Sequence, residues 1–179
     1  MLGHEQRSNN YYNISGGKII RSFGKTKPEG IETQSRVNKN GETVHELIYD
    51  FIEGRIIEAK IESNENFGDF IKLKITDEKE VVSLSMGFKS SYGRHFVYRI
   101  PNFDFKKTIK IKPYSFIDDT GKTRIGLVIY QNGEKIASAY TKDDPNGLPQ
   151  LKQVMYNGEM KWDATEQLAF LRQRFDEFS

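Results

Sequence analysis

Cysteine is absent from the 179-residue sequence, which removes disulfides, thiolate zinc sites and cysteine nucleophiles together. That fits a reducing compartment. Long apolar runs are missing too. None approaches the roughly 20 residues that a bilayer-spanning helix requires, and the opening "MLGHEQRSNN" lacks the apolar centre of a signal peptide. The expectation is a cytoplasmic protein, with no membrane partner and with residues 1–10 as a flexible leader. A strong charge of either sign is also lacking. The formal net charge is +2, so charge alone does not announce a nucleic-acid binder.

Catalytic signatures are equally sparse. His4, His45 and His95 lie far apart and form no metal-binding spacing. No serine sits in a nucleophile-elbow sequence. Two Gly-Lys-Thr triplets, Gly24 to Thr26 and Gly121 to Thr123, lack the earlier glycine of a phosphate-binding loop, because Ile19 and Phe116 stand there. Asp118 with Asp119 and Asp143 with Asp144 could in principle serve an oxygen-only magnesium site. Adjacent acids in turns are more often turn and cap formers. A non-enzyme without metal or cofactor is the expectation.

What is present is a folded chain with a charged surface: 36% hydrophobic and 29% charged residues, enough for one core with appended elements. Residues 51–140 hold 15 Lys and Arg against 12 Asp and Glu, whereas residues 141–179 hold 5 against 7. The middle is mildly basic and the C-terminal part mildly acidic. "YYNISGGKIIRSF" reads as a hairpin turning at Ser15 to Gly17, and residues 24–42 as a long loop. "TVHELIYDFIEGRIIEAKIES" gives one or two strands broken near Glu53 and Gly54. "DFIKLKITD" alternates cleanly, with Ile71, Leu73 and Ile75 on one face, and "EVVSLSM" pairs back onto it.

From Ser90 to Ile100, Tyr92, Phe96 and Ile100 recur at helical spacing before Pro101. "TIKIKPYSF" and "TRIGLVIYQ" return as strands around "DDTGK", and a turn at "QNGE" leads to "KIASAY" as a further strand. The order of strand, strand, strand, short helix, strand, strand over residues 54–131 is that of an OB-fold, a five-stranded Greek-key barrel. A hairpin at "QVMYNGEMKW" precedes Ala164, Leu168, Leu171, Phe175 and Phe178, which mark an amphipathic helix. The expected architecture is mainly β: an OB-like barrel domain over residues 11–163 with an extra N-terminal hairpin, then a C-terminal helix over 164–179.

One pattern carries chemistry. On "KKTIKIKPYSF", Lys110, Lys112, Tyr114 and Phe116 share a strand face, and on "DFIKLK" Phe70, Lys72 and Lys74 do the same. Gripping a single strand of nucleic acid requires this pairing of cations for phosphates with flat rings for unstacked bases. The joining loops add Phe67, Lys122 and Arg124, and the helix adds Tyr92. The competing reading is a solvated sheet face on a scaffold that docks proteins, virion-associated or host-directed, without nucleic acid.

"YYNISGGKIIR", "TVHELIYD", "TKDDPNGLPQLKQV" and "MKWD" together resemble a family of bacteriophage single-stranded DNA-binding proteins of OB-fold type, from phages of Bacteroidetes hosts including crAss-like phages. The resemblance spans about Tyr11 to Trp162. It implies coating of single-stranded DNA in DNA replication and recombination, without catalysis and with replication proteins as possible partners, as a monomer or a dimer. Such proteins often end in an acidic tail tipped by an aromatic. Here "RFDEFS" has only two acids beside Phe178 and belongs to the terminal helix.

Overall fold

A computed structural model describes residues 10–178, so the expected leader lies outside the described residues except for Asn10. Twelve strands and two α-helices follow in order: β1 (Tyr11–Ser15), β2 (Lys18–Gly24), β3 (Gln34–Val37), β4 (Thr43–Tyr49), β5 (Ile52–Asn64), β6 (Gly68–Thr76), β7 (Val81–Gly87), α1 (Ser91–Arg99), β8 (Ile109–Ile117), β9 (Thr123–Gln131), β10 (Glu134–Lys135), β11 (Lys152–Tyr156), β12 (Glu159–Asp163) and α2 (Thr165–Phe178). Ten strands form one mixed sheet in the order β10-β9-β8-β5-β6-β7-β1-β2-β4-β3, while β11 and β12 pair only with each other. The fold is mainly β, and the sheet does not close.

The antiparallel ladders β5/β6, β6/β7, β5/β8 and β8/β9 follow the expected order. Where β7 would meet β9 to complete a barrel, β7 instead pairs in parallel with β1, Leu84 standing opposite Tyr12. On the β9 side, the N–H of Leu127 donates to Nδ1 of His95 on α1 at 3.3 Å. A side chain thus occupies the position a strand would have taken.

β5 holds the two arms of the sheet together. Residues 52–54 pair with β8 and residues 55–64 with β6, so the strand changes partners at Gly54. Gly54 is no strand break, contrary to the sequence expectation. A Cβ there would lie 2.6 Å from Ile75 Cγ2 and 2.7 Å from the Thr76 carbonyl oxygen, and only glycine lets β6 pass this close. The break falls earlier, at Asp50 and Phe51. A bulge between Ile56 and Glu58 leaves Ile57 turned outward, then shifts the buried parity to Ala59 and Ile61.

Other expectations also needed correction. The expected loop 24–42 contains β3, paired with β4 from Gln34 opposite Glu46 to Val37 opposite Thr43. The expected strand at "KIASAY" shrinks to the two residues of β10, after which Ile136 N–H still reaches the Ile129 carbonyl. The short helix is α1 as anticipated. Ser90 Oγ caps it by accepting from Gly93 N–H at 3.1 Å.

The core lies between sheet and helices. Ile71, Leu73 and Ile75 of β6, Leu84 and Met86 of β7, Ile109 and Ile111 of β8, and Leu127 and Ile129 of β9 are buried with Phe96, Val97 and Ile100. Each such side chain contributes about 1.5–3 kcal/mol relative to exposure. α2 closes the packing with Leu171 and Phe175, the Phe175 ring lying 6.4 Å from that of Phe96. Arg172 ties α2 to the start of β6 through Asp69, at 2.6 Å.

Candidate nucleic-acid interface

The candidate residues fall on two separate arms. Lys72 and Lys74 stand on β6 opposite Lys60 and Glu58, well past Gly54 toward the end of β5. Lys112, Tyr114 and Phe116 lie on the part of β8 that runs beyond the start of β5. The two clusters are thus separated along β5, Lys110 standing opposite Glu53 and Lys72 opposite Lys60.

The β6 cluster is electrically spent. Lys60 and Lys72 face each other across the ladder, an arrangement that like charges make unfavourable. Glu62 resolves it, 2.9 Å from Lys60 and 3.5 Å from Lys72, while Glu58 pairs with Lys74. The lysine hydrogen bonds hold both glutamates below the usual carboxylate range. Phe70 is half-buried beside a groove shared with Asn13, Ser85 and Arg36. Phe67, at the β5–β6 turn, is 77% exposed.

Tyr92 must be withdrawn as a stacking ring. It is buried on α1, where its hydroxyl accepts the N–H of Gly17 at 2.8 Å. Gly17 has φ +76, and a Cβ on it would sit 2.5 Å from the Ser115 backbone nitrogen. The β1–β2 turn is thereby pressed onto β8, with Tyr92 as its anchor.

The β8–β9 arm keeps its cations available. Ile109, Ile111, Leu127 and Ile129 point into the core, which turns Lys110, Lys112, Tyr114 and Phe116 outward. Across the ladder, Tyr130 faces Lys110 and Arg124 faces Phe116. Lys110 Nζ lies 4.0 Å from the Phe51 ring centroid, and neither Lys110 nor Lys112 forms an ion pair among the described residues. Lys106, Lys107, Lys110 and Lys112 line a broad cleft of about 830 Å³ together with Tyr130, Asn132 and a single carboxylate, Glu53. Lys107 is partly satisfied by Asp104 at 3.6 Å. Tyr114 packs against His95 and Phe116, and Phe116 is 54% exposed.

At the β8–β9 turn, Asp118 forms the turn. Its Oδ1 accepts from the N–H groups of Thr120 and Lys122 and from the Thr120 hydroxyl, and its Oδ2 accepts from Arg124 Nε at 2.7 Å. These bonds, the Thr120 hydroxyl first, hold its carboxyl down at about 2. Arg124 is thus committed to Asp118, whereas the Lys122 side chain is exposed and unpaired among the described residues. No group of His, Asp and Glu able to hold a metal ion occurs among the described residues. No described helix is long and apolar enough to cross a membrane.

Sequence reasoning missed the aromatic content of the β11–β12 hairpin. Tyr156 is 60% and Trp162 66% exposed, and Lys161 Nζ lies 5.0 Å from the Tyr156 ring centroid. Asn157 and Gly158, both at positive φ, supply the tight turn that the strand twist favours. The signal was legible: Met160 and Trp162 alternate with Glu159, Lys161 and Asp163 on a hairpin that has no third strand to cover them. No family model, curated protein or solved structure matches the chain.

Proposed function

We propose that this chain binds single-stranded DNA without strong sequence preference, through the outward face of the β8–β9 arm, in phage DNA replication or recombination. One observation carries the reading. Lys110 and Lys112, which form no ion pair among the described residues although Glu53 stands across the ladder from Lys110 and Asp50 feels the charge of Lys112, lead directly into Tyr114 and Phe116 on the same strand face. Lysines neutralise phosphates, and rings stack on bases for about 1–3 kcal/mol per base. Lys106 and Lys122 extend the cation track. The ladder pairings and the helix between β7 and β8 support an OB-like ancestry for the module, with β1 on the edge of β7 that closure would have used.

Anisotropy titrations with labelled single-stranded DNA, duplex DNA and single-stranded RNA, each at two salt concentrations, test the reading. The expected result is preferential binding of the single strand that weakens with salt and collapses in Lys110→Glu/Lys112→Glu. An interaction indifferent to salt, or none, would overturn it.

A second reading, a protein-docking scaffold without nucleic acid, is favoured by the neutralised ladder on β5 and β6. It requires the Lys110→Glu/Lys112→Glu protein to bind its partners unchanged.

A further inference from the structure

At the start of β5 the molecule has a second concavity of opposite character. A cavity of about 220 Å³ lies between the ends of β1, β2, β4, β5, β6 and β7. Ile19, Ile52, Ile75 and Val82 make it apolar, Tyr12, Tyr49 and Phe51 add aromatic walls, and Glu53, Asp77 and Glu80 add carboxylates. No lysine or arginine lines it. Ile19 and Ile75 are fully buried, so the floor is part of the core. The Tyr12 and Tyr49 rings meet edge to face, 5.9 Å apart at 61°.

The carboxylates keep their charge available. Asp77 Oδ1 accepts the N–H groups of Lys79 and Glu80, and Glu80 Oε2 accepts from the Asn10 amide. Neutral donors orient both acids, and neither acid, nor Glu53, forms an ion pair among the described residues. Outside the lining, Lys110 lies against Phe51 and Arg21 hydrogen-bonds Tyr12, so two of the aromatic walls already receive cationic groups in the folded chain.

We propose that the cavity binds an organic ammonium group, either a free amine or the side-chain end of a lysine in a partner peptide. Alkyl carbons match the isoleucine and valine floor, the positive charge is attracted to the ring faces, and the carboxylates complete the field. Phosphates and other anions meet repulsion there. A hydrated metal ion gains nothing from the apolar floor. The inference does not rest on DNA binding, although the two sites adjoin: Glu53 borders both the cavity and the lysine cleft, and Lys110 lies against Phe51.

Calorimetric and ¹H–¹⁵N NMR titrations of the full chain test it, with choline and its neutral carbon isostere 3,3-dimethylbutanol, and with Nα-acetyl-lysine amide against Nα-acetyl-norleucine amide. At least one cation of the two pairs should bind about tenfold more tightly than its neutral counterpart, with shifts centred on Ile19, Phe51, Glu53 and Val82. Whichever pair responds identifies the source as free amine or peptide. Phe51→Leu and Glu80→Gln should each weaken binding about threefold or more. Glu159→Gln, on the distant hairpin, should not. Equal binding of cation and isostere in both pairs, or no localised shifts with any probe, would overturn the proposal.

Discussion

Gly17 shows how much one residue can decide. Its φ of +76 already costs an L-residue about 1–2 kcal/mol. An added Cβ would also press on Ser115 and displace the turn from the Tyr92 hydroxyl. Gly17→Ala should therefore lower stability in urea denaturation by about 2 kcal/mol or more, a large share of a typical total. Tyr92→Phe should cost about 1–3 kcal/mol by leaving the Gly17 N–H unpaired, while DNA affinity stays unchanged. A loss of affinity at equal folding would return Tyr92 to the binding surface. His95 carries a pH dependence. Burial lowers its pKa from 6.5, and nearby Arg99 adds to the effect, although the Leu127 carbonyl, 3.4 Å from Nδ1 and able to accept from it once it is protonated, opposes it. Below about pH 6.5 the unfolded chain takes up a proton that the folded chain resists, so stability falls as pH drops. Between about pH 6.5 and 5, above the carboxylate range, thermal midpoints should decline in the parent and lose most of that slope in His95→Gln.

At the level of elements, what the sequence revealed and what it hid have physical causes. β6 was legible because Ile71, Leu73 and Ile75 alternate strictly, and α1 because Ser90, Tyr92, Phe96 and Ile100 carry both cap and spacing. β3 was not legible, since all four of its residues are exposed and its register comes from β4. The pairing of β1 with β7 joins segments about seventy residues apart, and no local pattern encodes it. The neutralisation of Lys72 and Lys74 depends on the bulge at Ile57, which sets Glu58 and Glu62 on the lysine face. The β11–β12 hairpin has the reverse property: its sequence pattern was plain, but its isolation was not. A lone two-stranded hairpin gains little from its own pairing, so its exposed side chains should hardly affect stability. Trp162→Ala should change unfolding free energy by no more than about 0.5 kcal/mol. In the parent, emission from Trp162, the sole tryptophan, should be that of a solvent-exposed indole and readily quenched by acrylamide. Blue-shifted, protected emission would mean that another surface covers the hairpin.

For the whole molecule, a net charge of +2 conceals a division of labour that salt can expose. If DNA follows the β8–β9 arm, the cations without ion-pair partners among the described residues, Lys106, Lys110, Lys112 and Lys122, are the ones that replace counterions. Four phosphates give a log–log slope of about −2.8 for a single strand. If Lys72, Lys74 and Arg124 joined them, seven contacts would raise the slope to about −5, and Glu58, Glu62 and Asp118 would have to surrender their partners. Binding constants measured across several salt concentrations separate the two. A slope near −3 that Lys72→Gln/Lys74→Gln leaves unaltered would confine the path to one arm. A slope near −5 that falls by about 1.4 in that double variant would extend it across β6, and would mean that the ion-pair ladder opens when DNA arrives.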